Sequence, residues 1–153
     1  MLISQIGELE IRGEGDKLVS LTLVSKRNSN NPSLISGSEN VFTGWLISYF
    51  NGKERKQMNE VNFLIPFKGK TREILLELLR VGYGEIVTYG ELAKRINTSP
   101  RVVGNAMSRN PLPIFIPCHR VVRVNDIGNY SLGGKETKKW LLEFEERNLK
   151  LKP

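Results

Sequence analysis

Loose alternation of apolar and polar residues over positions 2–11 is followed by Gly13 and Gly15 and then by an aliphatic, β-branched run at 18–24. A period of two interrupted by glycines predicts a β-hairpin. The next stretch, 25–38, is dense in Asn, Ser, Pro and Gly and predicts a loop. From residue 39 the period changes: Val41, Phe42, Trp45, Leu46 and Tyr49 recur at helical spacing, and Asn51-Gly52 supplies the stop. An aromatic stripe of this kind suits a core, so no chemistry is assigned to it.

Pro66, Gly69 and two lysines make 64–70 a linker between an α/β domain over 1–63 and a second domain over 71–153. Thr71 is the expected cap of a helix carrying Ile74, Leu75, Leu78 and Leu79 on one face, ended near Gly82 and Gly84. A short extended piece at 85–89 leads into a short helix at 90–96. Ser99 or Thr98 then caps a further helix over 101–109, with Pro100 at its first position. Two short helices joined by a tight polar turn fit a helix-turn-helix. On pattern alone they fit an ordinary helical hairpin as well.

At 153 residues with 39% apolar composition the chain allows one or two small domains with a modest core. No apolar run reaches 18 residues, and the N-terminal stretch is acidic where a signal peptide would be basic and then apolar. A cytoplasmic protein is expected. One cysteine excludes an internal disulfide, and with one histidine it cannot build a Cys/His zinc site, so no metal is expected.

The net charge of +7 is unevenly placed: residues 1–66 hold seven basic and seven acidic side chains, and the excess lies beyond. Within 92–125, Lys94, Arg95, Arg101, Arg109, Arg120 and Arg123 occur with no acidic residue. A segregated basic face points to an anionic partner, for which DNA is the natural candidate, since phosphate neutralisation supplies most nonspecific affinity. The helix at 101–109 offers Val102, Val103, Gly104, Ala106 and Met107, few of which could read base edges. Small residues such as Gly104 permit close approach without a sequence code.

The only cysteine and the only histidine are neighbours, Cys118 and His119. Thiolate chemistry needs a group that can take the thiol proton near neutral pH, and imidazole is that group. Taken alone, such a pair is equally a buried, inert cysteine beside an incidental histidine.

The surrounding residues add more. The run RVVGNAMSRNPLPIFIPCHRVVR at 101–123, GNYS at 128–131 and a helical segment with Trp140 and Glu145 resemble the O6-alkylguanine-DNA alkyltransferases. That resemblance implies an α+β fold in which a small N-terminal β-sheet and helix precede a helical, winged helix-turn-helix-like domain for DNA binding and catalysis. It implies irreversible, stoichiometric transfer of an alkyl group from guanine O6 in double-stranded DNA to Cys118, by a monomer that needs no cofactor. A stacked base is out of reach of a thiolate, so the nucleotide must be flipped. By resemblance Arg101 fills the vacated space, His119 takes the thiol proton, and Glu145 orients His119. Tyr89 donates a proton to guanine N3, Asn110 braces the turn, and Arg95, Arg109, Arg120 and Arg123 meet DNA.

For the pocket, the resemblance implies a hydrogen bond from the Ser131 backbone to O6, a wall from Tyr130, carbonyl acceptors at Cys118 and Val121, and a closing loop with Gly133 and Gly134. Departures exist: the loop from Val122 to Gly128 is one residue shorter than in animal members, Leu132 is inserted before the glycine pair, and Asn105 replaces a small residue. Related lesion-recognition proteins without transferase activity carry another residue at the cysteine position, which Cys118 argues against. A thiol hydrolase would turn over and need no basic helix. A transcriptional regulator would leave the cysteine idle. High Lys, Arg and Ile content hints at a thermophilic source.

Overall fold

A computed structural model of the protein describes residues 2–26, 36–37 and 40–151. Strands β1 (Leu2–Ser4), β2 (Gly7–Glu14), β3 (Lys17–Lys26) and β4 (Ser36–Gly37) form an antiparallel sheet in the order β3-β2-β1-β4. The expected hairpin is β2–β3, reversed at Gly15, whose φ of +60° suits glycine. A second reversal separates β1 from β2 at Gly7, where φ is +138° and Ser4 Oγ donates to the carbonyl. The loop expected over 25–38 falls largely outside the described residues; its ends extend β3 and form β4.

Helix α1 (Val41–Phe50) begins at Asn40, whose side-chain oxygen accepts from the Phe42 and Thr43 amides. It buries Thr43, Leu46, Tyr49 and Phe50. Val41, expected in the buried stripe, is 74% exposed because it is the first helical residue and has no preceding turn to cover it.

The second half contains α2 (Gly69–Leu78), α3 (Tyr89–Arg95), α4 (Pro100–Arg109) and α5 (Gly134–Leu149). Thr71 does not cap α2: the helix starts two residues earlier, after Lys68, where left-handed Gly69 turns the chain in without a side-chain cap. Thr88 caps α3 by accepting from the Glu91 amide, and Ser99 caps α4 by accepting from Val102, with Pro100 at the first position. Helices α2 and α3 both pack on α4.

A parallel pair, β5 (Val87–Thr88) with β6 (Val121–Val122), sets Thr88 opposite Val122. That register brings the start of α3 beside the chain leaving Cys118. One hydrophobic cluster runs through both halves, from Leu9, Leu18 and Leu46 to Ile74, Val103 and Leu141. Residues 64–70 do not hang free between them: the Leu64 amide donates to the Leu18 carbonyl, Ile65 is buried, and Gly69 and Lys70 belong to α2. No helix among the described residues is long and apolar enough to cross a membrane.

Candidate active site

The cysteine sits at the end of a buried loop whose shape is held by local hydrogen bonds. Asn110, which ends α4, donates from Nδ2 to the Ile116 carbonyl at 2.9 Å and accepts at Oδ1 from the Leu112 amide at 3.0 Å. Pro117, at φ −78° and ψ 64°, is the centre of an inverse γ-turn closed by the Cys118 amide on the Ile116 carbonyl at 2.7 Å. Ile114 is β-branched yet has a φ of +73°, a conformation that costs about 1–3 kcal/mol and persists here inside a fully buried loop. The Leu21 amide on the Pro111 carbonyl, 2.9 Å away, ties the loop to β3.

Behind the cysteine lies a buried carboxylate. Glu145, on α5, accepts at Oε2 from His119 Nε2 (2.6 Å), Tyr49 Oη (2.6 Å) and Arg120 Nη2 (3.0 Å), and at Oε1 from Arg120 Nε (2.8 Å) and the Gly84 amide (3.1 Å). Burial alone would raise its pKa; His119 and Arg120 outweigh that and hold the carboxyl well below the usual range. A carboxylate only accepts, so His119 carries its proton on Nε2, and Nδ1 is left as a buried lone pair with no protein partner among the described residues. Burial, only partly countered by Glu145, lowers the His119 pKa, so the imidazole rests neutral.

The Cys118 thiol is pushed up to about 11, by burial, against the opposing pull of a hydrogen bond from Asn110 and the charge of Lys138. At rest, therefore, the thiol is protonated and the imidazole neutral, with Nδ1 unpartnered among the described residues. Cys118 opens on a cavity of about 590 Å³, within the range usual for small-molecule sites. Tyr89 and Arg123 line it with Arg101, Gly104 and Met107 of α4, and Tyr130 and Ser131 form a further wall. Lys138, on α5, donates to the Val121 and Asn129 carbonyls (2.6 and 3.2 Å) and lies 5.9 Å over the Tyr89 ring. Gly128 is left-handed, and a Cβ there would meet Tyr89 Oη at 3.3 Å and Lys138 Nζ at 3.4 Å.

Residues 70–147 match the family model described as 6-O-methylguanine DNA methyltransferase, DNA binding domain. A methylated-DNA–protein-cysteine methyltransferase of Metallosphaera sedula is 36% identical over 152 residues, covering 97% of this chain and 93% of that protein. The chain belongs to the methylated-DNA–protein-cysteine methyltransferase family. A Methanocaldococcus vulcanius member is 52% identical over 92 residues, which span 60% of this chain and 56% of that relative. The fold is similar to that of Mycobacterium tuberculosis OGT in complex with DNA, with a TM-score of 0.80, 28% identity, and coverage of 96% of this chain and 92% of that one. The α+β class is the family's.

Of the residues singled out from the sequence, Cys118, Tyr89, Arg101, Gly104, Arg123, Tyr130 and Ser131 meet in the cavity, and His119, Glu145 and Asn110 stand behind it. Arg95 and Arg109 are exposed near the ends of α3 and α4 and do not line it. The expectation that Arg120 contacts DNA is overturned: it is 2% exposed, paired with Glu145 and donating to the Val81 carbonyl at 2.7 Å, so it cannot reach a phosphate. Gly133 does not line the cavity either. It stands before α5 at φ +82°, where a Cβ would collide with Thr137, so it serves the entry to the helix. Val121 is fully buried and also off the cavity; its carbonyl and that of Cys118 each already accept one hydrogen bond and keep a second lone pair.

Sequence reasoning missed Tyr49 and Lys138. Lys138 shares the buried face of α5 with Leu141 and Glu145 at spacings of three and four, a signal available in the pattern. Tyr49 was counted as core, and nothing in an aromatic stripe announces a hydroxyl aimed at a carboxylate.

Two outcomes are expected. Arg120→Ala should lower stability to urea by about 3–5 kcal/mol, because it strands a buried carboxylate; a cost below about 1 kcal/mol would place Arg120 at the surface. Alkylation of Cys118 by iodoacetamide, followed by intact mass, should quicken about tenfold per pH unit from pH 8 to 10 without levelling, as thiolate accumulates below a raised pKa. A plateau by pH 9 would contradict the raised thiol.

Proposed function

We propose that the chain is a single-turnover DNA-repair protein that moves an alkyl group from guanine O6 in double-stranded DNA to Cys118 Sγ. The observation that carries this reading is the position of the only thiol, on a cavity roomy enough to admit a base and walled by α4, with Arg101 and Tyr89 also lining it. The relatives, methylated-DNA–protein-cysteine methyltransferases, and the DNA in the tuberculosis complex support the same reaction and partner.

In this reading the thiol proton passes to His119 Nδ1, directly or through one water, and a sulfur lone pair attacks the alkyl carbon. The carbon–O6 bond breaks, its electron pair stays on guanine, and Tyr89 Oη supplies a proton at N3. Backbone N–H at Ser131 and the wall of Tyr130 hold the flipped base. Glu145 fixes the imidazole tautomer and steadies the imidazolium that forms, as the acidic member of hydrolytic triads does. The product thioether is stable and no second thiol exists to remove it, so the protein is spent after one event.

Arg101, exposed at the start of α4, fills the gap left by the flipped nucleotide, while Arg95, Arg109 and Arg123 contact phosphates. The protein acts as a cytoplasmic monomer, with an N-terminal unit over 1–63 and a catalytic unit over 71–153.

One experiment with two substrates tests this reading. Incubation with O6-benzylguanine should give one equivalent of product and one adduct on Cys118, and then stop; sustained turnover would show a hydrolase instead. On duplex DNA carrying O6-methylguanine, Arg101→Ala should lose at least about tenfold in rate while its reaction with the free base stays within about twofold. Equal losses on both substrates would contradict the gap-filling role.

A further inference from the structure

The N-terminal helix reaches the active-site carboxylate through a hydroxyl. Tyr49 is buried on α1, its ring stacked on Trp45 (centroids 5.6 Å apart) and edge-on to Phe50 (5.2 Å), and its Oη meets Glu145 Oε2 at 2.6 Å. The same oxygen holds His119 Nε2 at 2.6 Å and Arg120 Nη2 at 3.0 Å. A phenylalanine would fill the same space. The hydroxyl is therefore not needed for packing, and Glu145 would retain four hydrogen bonds without it.

We propose that Tyr49 is a positioning residue for alkyl transfer: by sharing Glu145 Oε2 with His119, its hydroxyl limits the negative charge that the oxygen presents to the imidazole and so sets the basicity of the proton acceptor. The proposal rests on the reading above that His119 takes the thiol proton. Each donor on a carboxylate oxygen withdraws charge from it, and removing one strengthens the bonds that remain. With Tyr49 present, the His119–Glu145 pair is weak enough for the imidazole to rest neutral and accept; without it, Glu145 favours the imidazolium before any substrate arrives.

The other groups near His119 stay constant in the test. Glu145 and Lys138 come from α5, Arg120 and Cys118 from its own turn, and Tyr130 stands with its ring 6.4 Å away. Tyr49 itself remains a donor at any working pH, since burial and the Glu145 charge both raise its pKa well above the ordinary value.

His119 is the only histidine, so its imidazole resonances in NMR need no assignment by mutation. The full chain would be titrated as wild type, as Tyr49→Phe and as Phe50→Leu, a control that disturbs the same packing without touching Glu145. In Tyr49→Phe, His119 should titrate about 0.5–1 pH unit higher. The acid limb of the single-turnover rate with O6-benzylguanine should move with it, while the plateau stays within about twofold. Phe50→Leu should move neither.

If the protein unfolds before His119 titrates, its Nε2–H proton gives the same answer. That proton should lie downfield of the wild-type position in Tyr49→Phe, because its bond to Glu145 is stronger. An unchanged His119 titration and an unchanged Nε2–H resonance would overturn the proposal, as would an equal shift in Phe50→Leu or a rate loss that is the same at every pH. Absence of alkyl transfer in the wild-type protein would instead overturn the function, since the titration reads Tyr49 without any chemistry.

Discussion

A carboxylate removed from water must be compensated by donors that cannot leave, and Glu145 meets that condition by drawing donors from three separate parts of the chain. Tyr49 comes from α1, Gly84 from the turn after α2, and His119 and Arg120 from the turn that carries the cysteine. Stripping Arg120 from this set would leave a buried charge unpaired, which is why a surface role for that residue is ruled out by energy as well as by position. The same constraint orders the site. Once Glu145 has claimed Nε2, the His119 tautomer follows, and Nδ1 is the nitrogen left to accept a proton.

A buried thiol at about 11 beside a neutral imidazole is a protected nucleophile. Little of it is thiolate at neutral pH, the form that alkylating agents and oxidants attack, which suits a chain with one cysteine. In the reaction proposed above, activation waits until a base fills the cavity and charge develops on the leaving guanine. The strained backbone at Ile114, the γ-turn at Pro117 and the Asn110 brace keep the sulfur on the cavity floor while it waits. Because the brace also ends α4, the turn that carries Cys118 is tied to the element that carries Arg101 and Gly104.

Periodicity was enough to reveal the β2–β3 hairpin and α1, and local cap residues the Ser99-Pro100 start of α4; Glu145 on α5 came from the family resemblance. The linear motif was enough to collect the cavity residues, because Tyr89, Arg101, Cys118 and Tyr130 sit close to fixed sequence landmarks. What stayed hidden depends on partners distant in sequence. Arg120 reads as a surface cation until Glu145, 25 residues away, is known to pair with it. Tyr49 is 96 residues from the same carboxylate, and its ring alone explains its place in an apolar stripe. Gly133 reads as loop freedom, but its left-handed backbone and the proximity of Thr137 make it part of a helix entry. Strands β1 and β6 are too short for a period to register.

Glu145 locks a neutral His119 in the Nε2–H form and leaves Nδ1 without a partner among the described residues. Nitrogen-15 NMR of the single imidazole in the free protein at pH 7 tests this most directly. One protonated, pyrrole-type nitrogen assigned to Nε2 and one unprotonated, pyridine-type nitrogen assigned to Nδ1 are expected, with the preference for this tautomer weakened in Glu145→Gln. Two protonated nitrogens, or a proton on Nδ1, would contradict it.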